Sequence, residues 1–166
     1  MPDKFPQIAL SSSTVNDLYR YESDTGLLFR KNIRGEWKLV GTLSYGYNVT
    51  RHCGVLYKNT HIIWLIMEGK WPQDLVDHKN QDRSDDKWIN LRPATHSQNH
   101  ANIRKPSNNK SGVKGVYWDA TNCKWLAQIR YRYKRITIGR YGSLEEAKAA
   151  YKQKAKELFG EFAFTE

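Results

Sequence analysis

Four polar side chains in the middle of the chain have the types and spacing for metal-assisted chemistry. Asp77 and His78 stand next to each other, directly after the apolar pair Leu75-Val76. Asn90 and Asn99 follow at distances that fit one hairpin and one helical turn. Carboxylate and amide oxygens are hard ligands that suit an ion of the magnesium type, and an imidazole beside them can take a proton from water near neutral pH. If these side chains converge, the set predicts hydrolysis of phosphodiester bonds.

Composition favours nucleic acid as the partner. The chain has 166 residues and a formal net charge of +10. Its pI of about 9.6 and mean hydropathy of −0.77 indicate a basic protein with modest cores, which suits a polyanion. We expect no membrane partner, because no long basic amphipathic helix is present and the longest apolar run, 62–67, is too short to span a bilayer. Since the start of the chain does not read as a signal peptide, we expect a cytoplasmic protein.

Two cysteines, Cys53 and Cys123, lie far apart and match no zinc-binding spacing. We expect both to be reduced, partly buried thiols, since disulfides are rare in cytosolic proteins.

Changes in composition divide the chain into three parts. Residues 1–102 combine short strand-like segments at 18–21, 27–30, 38–40 and 47–50, a short buried helix at 61–67, and the neighbourhood of Asp77. Residues 103–112 are polar and contain Pro and Gly, which is typical of a linker. Residues 113–166 are expected to form an independent small domain. The predicted fold class is therefore α+β.

Period-two alternation in the last part predicts a three-stranded antiparallel sheet packed on one helix. In the central strand Trp125, Ala127, Ile129 and Tyr131 would face the core, and Leu126 would face outward with the polar residues between them. Ser143 and Glu146 then form a capping-box pattern at the start of a helix that Gly160 ends.

The outer face of that sheet is strongly basic. Between Ile103 and Tyr141 there are ten basic residues and one acid, Asp119. Like charges on one face repel each other unless a partner relieves them. Arg and Gln can read base edges in a major groove, whereas Lys and Thr suit phosphates. The outward set consists of Tyr117, Gln128, Arg130, Arg132, Arg135 and Thr137.

The same segment resembles the Apetala-type DNA-binding domain of plant ethylene-response factors. The resemblance covers 113–162 and is carried by Gly115-Val116-Tyr117-Trp118, the strand 124–130, Ile138-Gly139-Arg140-Tyr141, and the helix. It implies insertion of the sheet into the major groove of double-stranded DNA. Tyr117 and Asp119 stand where arginines are usual and Gln128 where Glu is usual, so the plant target sequence is not implied. The contacts it implies are Lys114, Tyr117, Gln128, Arg130, Arg135 and Thr137.

Residues 45–102 resemble the HNH endonucleases of bacteriophages, especially the homing type. The motifs are Gly69-Lys70-Trp71-Pro72, Val76-Asp77-His78-Lys79-Asn80, 82–85, Asn90-Leu91-Arg92-Pro93-Ala94-Thr95 and Ser97-Gln98-Asn99. The resemblance implies a ββα-metal core with N-terminal β-strands. One divalent ion, Mg²⁺ or Mn²⁺, would be held by Asp77 and Asn99. His78 would be the general base, and Asn90 would brace the loop between the strands.

Other residues near the motif have competing interpretations. In a regular strand Asp77 and His78 point to opposite faces, so we expect a bulge or a strand end there. His96 and His100 flank Asn99, and either could replace it as a ligand. His61 would be packed or cap a turn, and the arginine usual after it is Ile62 here. Further expectations are a structural or exposed His52 and turn hydrogen bonds from Asp82, Asp85 and Asp86.

The sequence as a whole predicts a site-directed, divalent-metal-dependent DNA endonuclease of the homing type. One site per chain predicts nicking of one strand, by a monomer or a DNA-bound dimer, within a bacterial host cell if the chain is phage-encoded. The alternative is a non-catalytic DNA-binding regulator with a decayed nuclease core. A third possibility, RNA binding, is weaker because arginines on a sheet suit the B-form major groove better than the deep, narrow groove of RNA.

Overall fold

In this computed structural model, which describes residues 10–105 and 109–164, runs of consecutive short strands are separated by helices. Contacts divide the chain after Pro93 into two units, 1–93 and 94–166. The strands of the described ranges form three three-stranded sheets and one two-stranded sheet, so the predicted α+β class is confirmed. Residues 106–108 of the predicted linker lie outside the described residues. None of the helices in the described ranges is long and apolar enough to cross a membrane.

The first unit begins with one helical turn and an antiparallel sheet. These elements are α1 (Val15–Leu18), β1 (Tyr19–Glu22), β2 (Leu27–Lys31) and β3 (Trp37–Val40), with strand order β1-β2-β3. The three strands lie within one residue of the predicted segments. Only one face of this sheet is buried, because Tyr19 and Leu28 enter the core while Leu39 stays exposed.

A second sheet leads into the central helix of this unit. Its elements are β4 (Thr42–Ser44), β5 (Tyr47–His52), β6 (Val55–Lys58) and then α2 (Asn59–Glu68), with order β4-β5-β6. Ile62, Ile63 and Leu65 of α2 are almost fully buried in the core of the first unit, as expected of the predicted buried helix. Helix α2 ends at Gly69, whose φ of 67° favours glycine.

The motif residues lie on a β-β-α segment. Strands β7 (Leu75–His78) and β8 (Leu91–Ala94) form a two-stranded sheet, and a single 3₁₀ turn, Trp88–Asn90, closes the loop between them. Helix α3 (His96–Ala101) follows and begins with a capping box between Thr95 and Gln98. By contacts α3 belongs to the second unit, and β7 belongs to the first.

The second unit has the predicted three-stranded antiparallel sheet and helix. Its elements are β9 (Val116–Asp119), β10 (Lys124–Tyr131), β11 (Lys134–Tyr141) and α4 (Leu144–Phe159), with β10 in the centre. Ser143 and Glu146 form the expected capping box. Small side chains let α4 lie close to the sheet, since Ala147 and Ala155 are buried with Ala127 and Ile129 in one cluster.

Three details of the predicted pattern are wrong. Leu126, expected to face outward, is buried, and the pairing of β10 with β11 shifts by one residue after Ala127, where Ile138 of β11 is the extra residue. Arg132, expected on the strand, lies in the β10–β11 turn, where both turn residues have positive φ. Cys53 and Cys123, expected to be partly buried, are exposed free thiols.

Candidate active site and nucleic-acid interface

Strand β7 ends at a pair of buried polar side chains. Asp77 and His78 are each only 4% exposed, and the strand stops at His78. Successive side chains of a strand point to opposite faces, so each must find its own partner. A buried charge without a partner would destabilise the fold by several kcal/mol.

Arg92 of the neighbouring strand β8 is the partner of Asp77. Its Nε donates to Oδ2 of Asp77 at 3.0 Å, and both side chains are buried. The sequence includes Arg92 in a recognised motif but gives it no role. The ion pair neutralises the carboxylate and fixes its orientation at the end of β7.

Asp86 is the partner of His78. Nε2 of His78 lies 3.0 Å from Oδ1 of Asp86, which is 2% exposed. The other Asp86 oxygen accepts from Nδ2 of Asn48 at 3.0 Å, and the Asp86 carbonyl accepts from the Tyr21 hydroxyl at 2.7 Å. An ionised carboxylate only accepts hydrogen bonds, so Nε2 of His78 is the donor in this contact.

The role of Asp86 differs from the one expected from sequence. Asp82 accepts from the backbone and hydroxyl of Ser84, and Asp85 accepts from Asn80, so these two acids do make local loop hydrogen bonds. The Asp86 carboxylate instead reaches strand β5 and His78. The only sequence signal for it is the pair of adjacent acids before Trp88, of which one faces inward.

Asn90 holds the loop that carries Asp86. Its Oδ1 accepts from the backbone N–H of Asn80 at 3.0 Å. Its Nδ2 donates to Oδ1 of Asn80 at 3.0 Å and to the carbonyl of Asp85 at 2.7 Å. The backbone carbonyl of Asn90 also accepts from Lys79 at 2.9 Å. These contacts brace the loop at both ends.

The remaining site residues fall in different elements. Asn99 lies half-buried in the middle of α3, in the second unit, so its sharing of an ion with Asp77 stays a prediction. His96 and His100 lie on the same helix and are exposed. Within residues 10–105 and 109–164, no three His, Cys, Asp or Glu side chains are grouped to hold a metal.

The two other histidines of the first unit have packed positions. His61 lies in the first turn of α2, where burial lowers its pKa to about 4 and the charge of Lys58 adds to the effect. His61 is therefore neutral at pH 7, consistent with a packing role. His52 is buried, with its Nδ1 3.0 Å from the Tyr19 hydroxyl, which is a structural contact.

The exposed face of the second unit's sheet brings four of the predicted DNA-contacting residues into two cross-strand pairs. Arg130 lies directly opposite Arg135, and Gln128 lies opposite Thr137. Nε2 of Gln128 donates to the Thr137 hydroxyl at 3.1 Å, which orients the amide. Both arginines are exposed, so two like charges face each other across the strands. Tyr117 on β9 is 44% exposed.

Lys114 has a different role from the predicted one. Its Nζ donates to the carbonyls of His100, Ala101 and Ile103 at 3.3, 2.6 and 2.6 Å, which caps the end of α3. Burial lowers the pKa of Lys114 to about 8. An ammonium has three donors, and all three are used here. In the free chain Lys114 is therefore held within the second unit, and its contact with DNA stays a prediction.

Comparison with known proteins identifies both parts of the chain. An HNH endonuclease family model matches residues 58–101, and an AP2 domain model matches residues 111–161. The uncharacterized HNH endonuclease L560 of Acanthamoeba polyphaga mimivirus is 33% identical over 135 residues, 77% of this chain and 69% of the mimivirus protein. The chain belongs to the HNH endonuclease family. Protein 3.8 of Escherichia phage T7 is 28% identical over 102 residues, 61% of this HNH endonuclease and 84% of the phage protein. No solved structure matches the chain.

The two family matches confirm both resemblances. They place the nuclease motifs and the DNA-binding domain in different segments of this HNH endonuclease. The HNH match contains β7, β8 and α3, and with them Asp77, His78, Asn90 and Asn99. It continues past the contact boundary at Pro93. The AP2 match contains β9, β10, β11 and α4. The HNH endonuclease therefore joins a nuclease segment to a DNA-binding domain.

Asp86→Ala is expected to destabilise the first unit of the HNH endonuclease by about 3 kcal/mol, because His78 and Asn48 lose a buried partner. The measurement is urea unfolding monitored by tryptophan fluorescence. Asp85→Ala is the matched control, since its side chain accepts only from Asn80 within the loop, and it should change stability by less than about 1 kcal/mol. Equal effects of the two substitutions would contradict a special role for Asp86.

Proposed function

We propose that this HNH endonuclease is a divalent-metal-dependent DNA nickase of the homing type. Residues up to about 102 cut, and residues 113–166 bind and position double-stranded DNA. The observation that carries the proposal is the buried end of β7, where Asp77 and His78 are held side by side by separate partners. Both lie within the HNH match.

The donor set fits one hard divalent ion, Mg²⁺ or Mn²⁺. Asp77 offers a carboxylate and Asn99 an amide oxygen, and Mg²⁺ sites in proteins commonly use one or two such ligands together with water and substrate phosphate. Arg92 Nε donates to Oδ2 of Asp77 and fixes the orientation of the carboxylate that would bind the ion. When bound, the ion would polarise the scissile phosphate and stabilise the leaving 3′-oxygen.

His78 would act as the general base through Nδ1. Asp86 lies 3.0 Å from Nε2 and fixes the orientation of the imidazole, and in this proposal Nδ1 accepts the proton. As a water oxygen bonds to phosphorus, Nδ1 takes the proton of that water. The bond from phosphorus to the 3′-oxygen breaks, and the 3′-oxygen is protonated by solvent. Such a base contributes roughly two to four orders of magnitude in rate.

The second unit would make most of the contacts that hold the DNA. Arg130 and Arg135 repel each other across the strands, and a DNA phosphate or base edge would relieve that repulsion. Gln128, whose amide donates to the Thr137 hydroxyl, would read a base edge. Tyr117 and, from the hairpin turn, Arg132 complete the proposed contact set.

The homing role and the nicking activity are further parts of the proposal. The relatives from a mimivirus and from a phage are consistent with a gene that moves with viral genomes. One proposed site per chain would cut one strand in each binding event, as a monomer. Cutting both strands would require two chains on the DNA.

His78→Gln is expected to lower the nicking rate of supercoiled plasmid in Mg²⁺ by about two to four orders of magnitude. The glutamine amide can still donate to Asp86, so the fold keeps a buried hydrogen bond at this position. The measurement is the conversion of supercoiled plasmid to open circles, with chelator as the metal control. His96→Ala serves as a second variant, and it keeps its activity if Asn99 is the ligand on α3. Full activity of His78→Gln would contradict the proposed base.

Arg130→Gln is expected to stabilise the second unit by a few tenths of a kcal/mol, since it removes a like-charge cross-strand pair. It should also weaken DNA binding and lower the slope of log affinity against log salt by about one. Urea unfolding and duplex titrations at several salt concentrations measure the two effects. Arg140→Gln is the control, because Arg140 is paired with Asp119 at 2.9 Å and should have a smaller effect on binding. A destabilised Arg130→Gln protein with unchanged affinity would overturn this assignment.

A further inference from the structure

Two cations of the first unit converge on one aromatic ring beside His78. Nζ of Lys58 lies 3.9 Å from the centre of the Tyr47 ring. The guanidinium carbon of Arg83 lies 4.9 Å from the same centre. The Tyr47 ring in turn lies 6.0 Å from the His78 imidazole, measured between ring centroids. Two positive charges therefore contact the aromatic ring that lies next to the proposed general base.

Three separate elements place these side chains. Tyr47 begins β5 and Lys58 ends β6, and in the register of this sheet Lys58 pairs with Val49. Tyr47 is two residues from Val49 on the same face, so it is the diagonal neighbour of Lys58. Arg83 comes from the loop between β7 and β8, and its Nη1 donates to the carbonyl of Tyr45 at 3.4 Å. The arrangement therefore depends on the fold and not on one flexible segment.

The charges of this cluster are not balanced within the unit. Among the described residues neither Lys58 nor Arg83 forms an ion pair with a carboxylate. Burial lowers the pKa of Lys58, and the charge of Arg83 lowers it further. Two cations held together in this way repel each other, and an anion between them would relieve the repulsion.

We propose that Lys58, Tyr47 and Arg83 form a clamp for one backbone phosphate of the DNA strand on which His78 acts. Guanidinium and ammonium groups are the side chains that best suit phosphate oxygens. Tyr47 holds both cations in place through its ring face, without neutralising them as a carboxylate would. The inference rests on the proposed nuclease function, because it assigns the clamp to the strand that is cut. We call this cluster the Tyr47 clamp.

The test combines DNA affinity with nicking. Lys58→Met and Arg83→Gln each remove one charge, and Lys58→Arg keeps it. Lys31→Met is the matched control, since Nζ of Lys31 lies 5.7 Å from the centre of the Trp37 ring in a pair of the same kind elsewhere. The affinity of each full-length protein for one fixed duplex is measured over a range of KCl concentrations without Mg²⁺. KM and kcat for plasmid nicking are then measured with Mg²⁺.

Each clamp variant that removes a charge should weaken duplex binding about three- to tenfold and lower the salt slope by about one. Its KM for plasmid should rise, while Lys58→Arg and Lys31→Met stay close to the unsubstituted protein. Arg83 is exposed, so Arg83→Gln should fold normally even if Lys58→Met does not.

The control results separate the clamp from the nuclease. An unchanged salt slope for Arg83→Gln, or an equal change for Lys31→Met, would overturn the clamp even if plasmid is nicked. A slope that falls for the clamp variants supports the clamp even if His78→Gln nicks normally, a result that would refute only the proposed base.

Discussion

The hydrogen bond between His78 and Asp86 joins the end of β7 to a carboxylate eight residues later, and the loop between them is organised around it. Asn90 donates to the Asp85 carbonyl and so holds that loop, and Nδ2 of Asn48 on β5 donates to the second carboxylate oxygen of Asp86. On the other face of the strand Arg92 neutralises Asp77. Two buried polar residues at adjacent positions are tolerated because each has its own charged partner. Removal of either partner leaves an uncompensated group in the interior.

This arrangement explains how adjacent aspartate and histidine residues can be kept in fixed orientations. The strand ends at His78, so the alternation of side chains does not have to bring both to one face of a continuous sheet. Arg92 donates to Oδ2 of the Asp77 carboxylate, and Nε2 of the His78 imidazole lies against Asp86. Groups held in advance lose little freedom when substrate arrives, which is how positioning contributes to catalysis.

Within residues 10–105 and 109–164, cations that no carboxylate neutralises mark the surfaces that we assign to DNA. In the first unit Lys58 and Arg83 share the Tyr47 ring, and in the second Arg130 faces Arg135. Arg140, by contrast, is neutralised by Asp119. Each unpaired set destabilises its own unit slightly in the free protein, and binding to a polyanion offsets this effect. The net charge of +10 predicts such a partner, but only the structure shows which cations remain unneutralised.

Local sequence patterns predict the strands and helices, whereas the roles of individual side chains depend on contacts between residues that are distant in sequence. Period-two alternation and the Ser143 capping box predicted the second unit's sheet and helix, because both signals depend on near neighbours. The turn at Arg132-Tyr133 was missed because it contains none of the Gly, Asn or Asp residues that usually signal such turns. Strict alternation predicted that Leu126 faces outward, but Leu126 and Ala127 are both buried, and the extra residue of the bulge beyond them, Ile138, lies on β11.

The roles of Asp86 and Lys114 could not be predicted from spacing alone. One of two adjacent acids turns inward only because the loop is folded around Asn90. Lys114 caps α3 only because the chain brings it back to three carbonyls more than ten residues earlier. In both cases the partner that defines the role is distant in sequence and has no recognisable pattern.

The most direct test is anomalous X-ray diffraction from the full-length protein bound to duplex DNA and Mn²⁺. The account predicts one manganese peak per chain, in contact with the side-chain oxygens of Asp77 and Asn99. A peak that contacts neither residue, or a complex in which Asp77 and Asn99 are too far apart to share an ion, would contradict it.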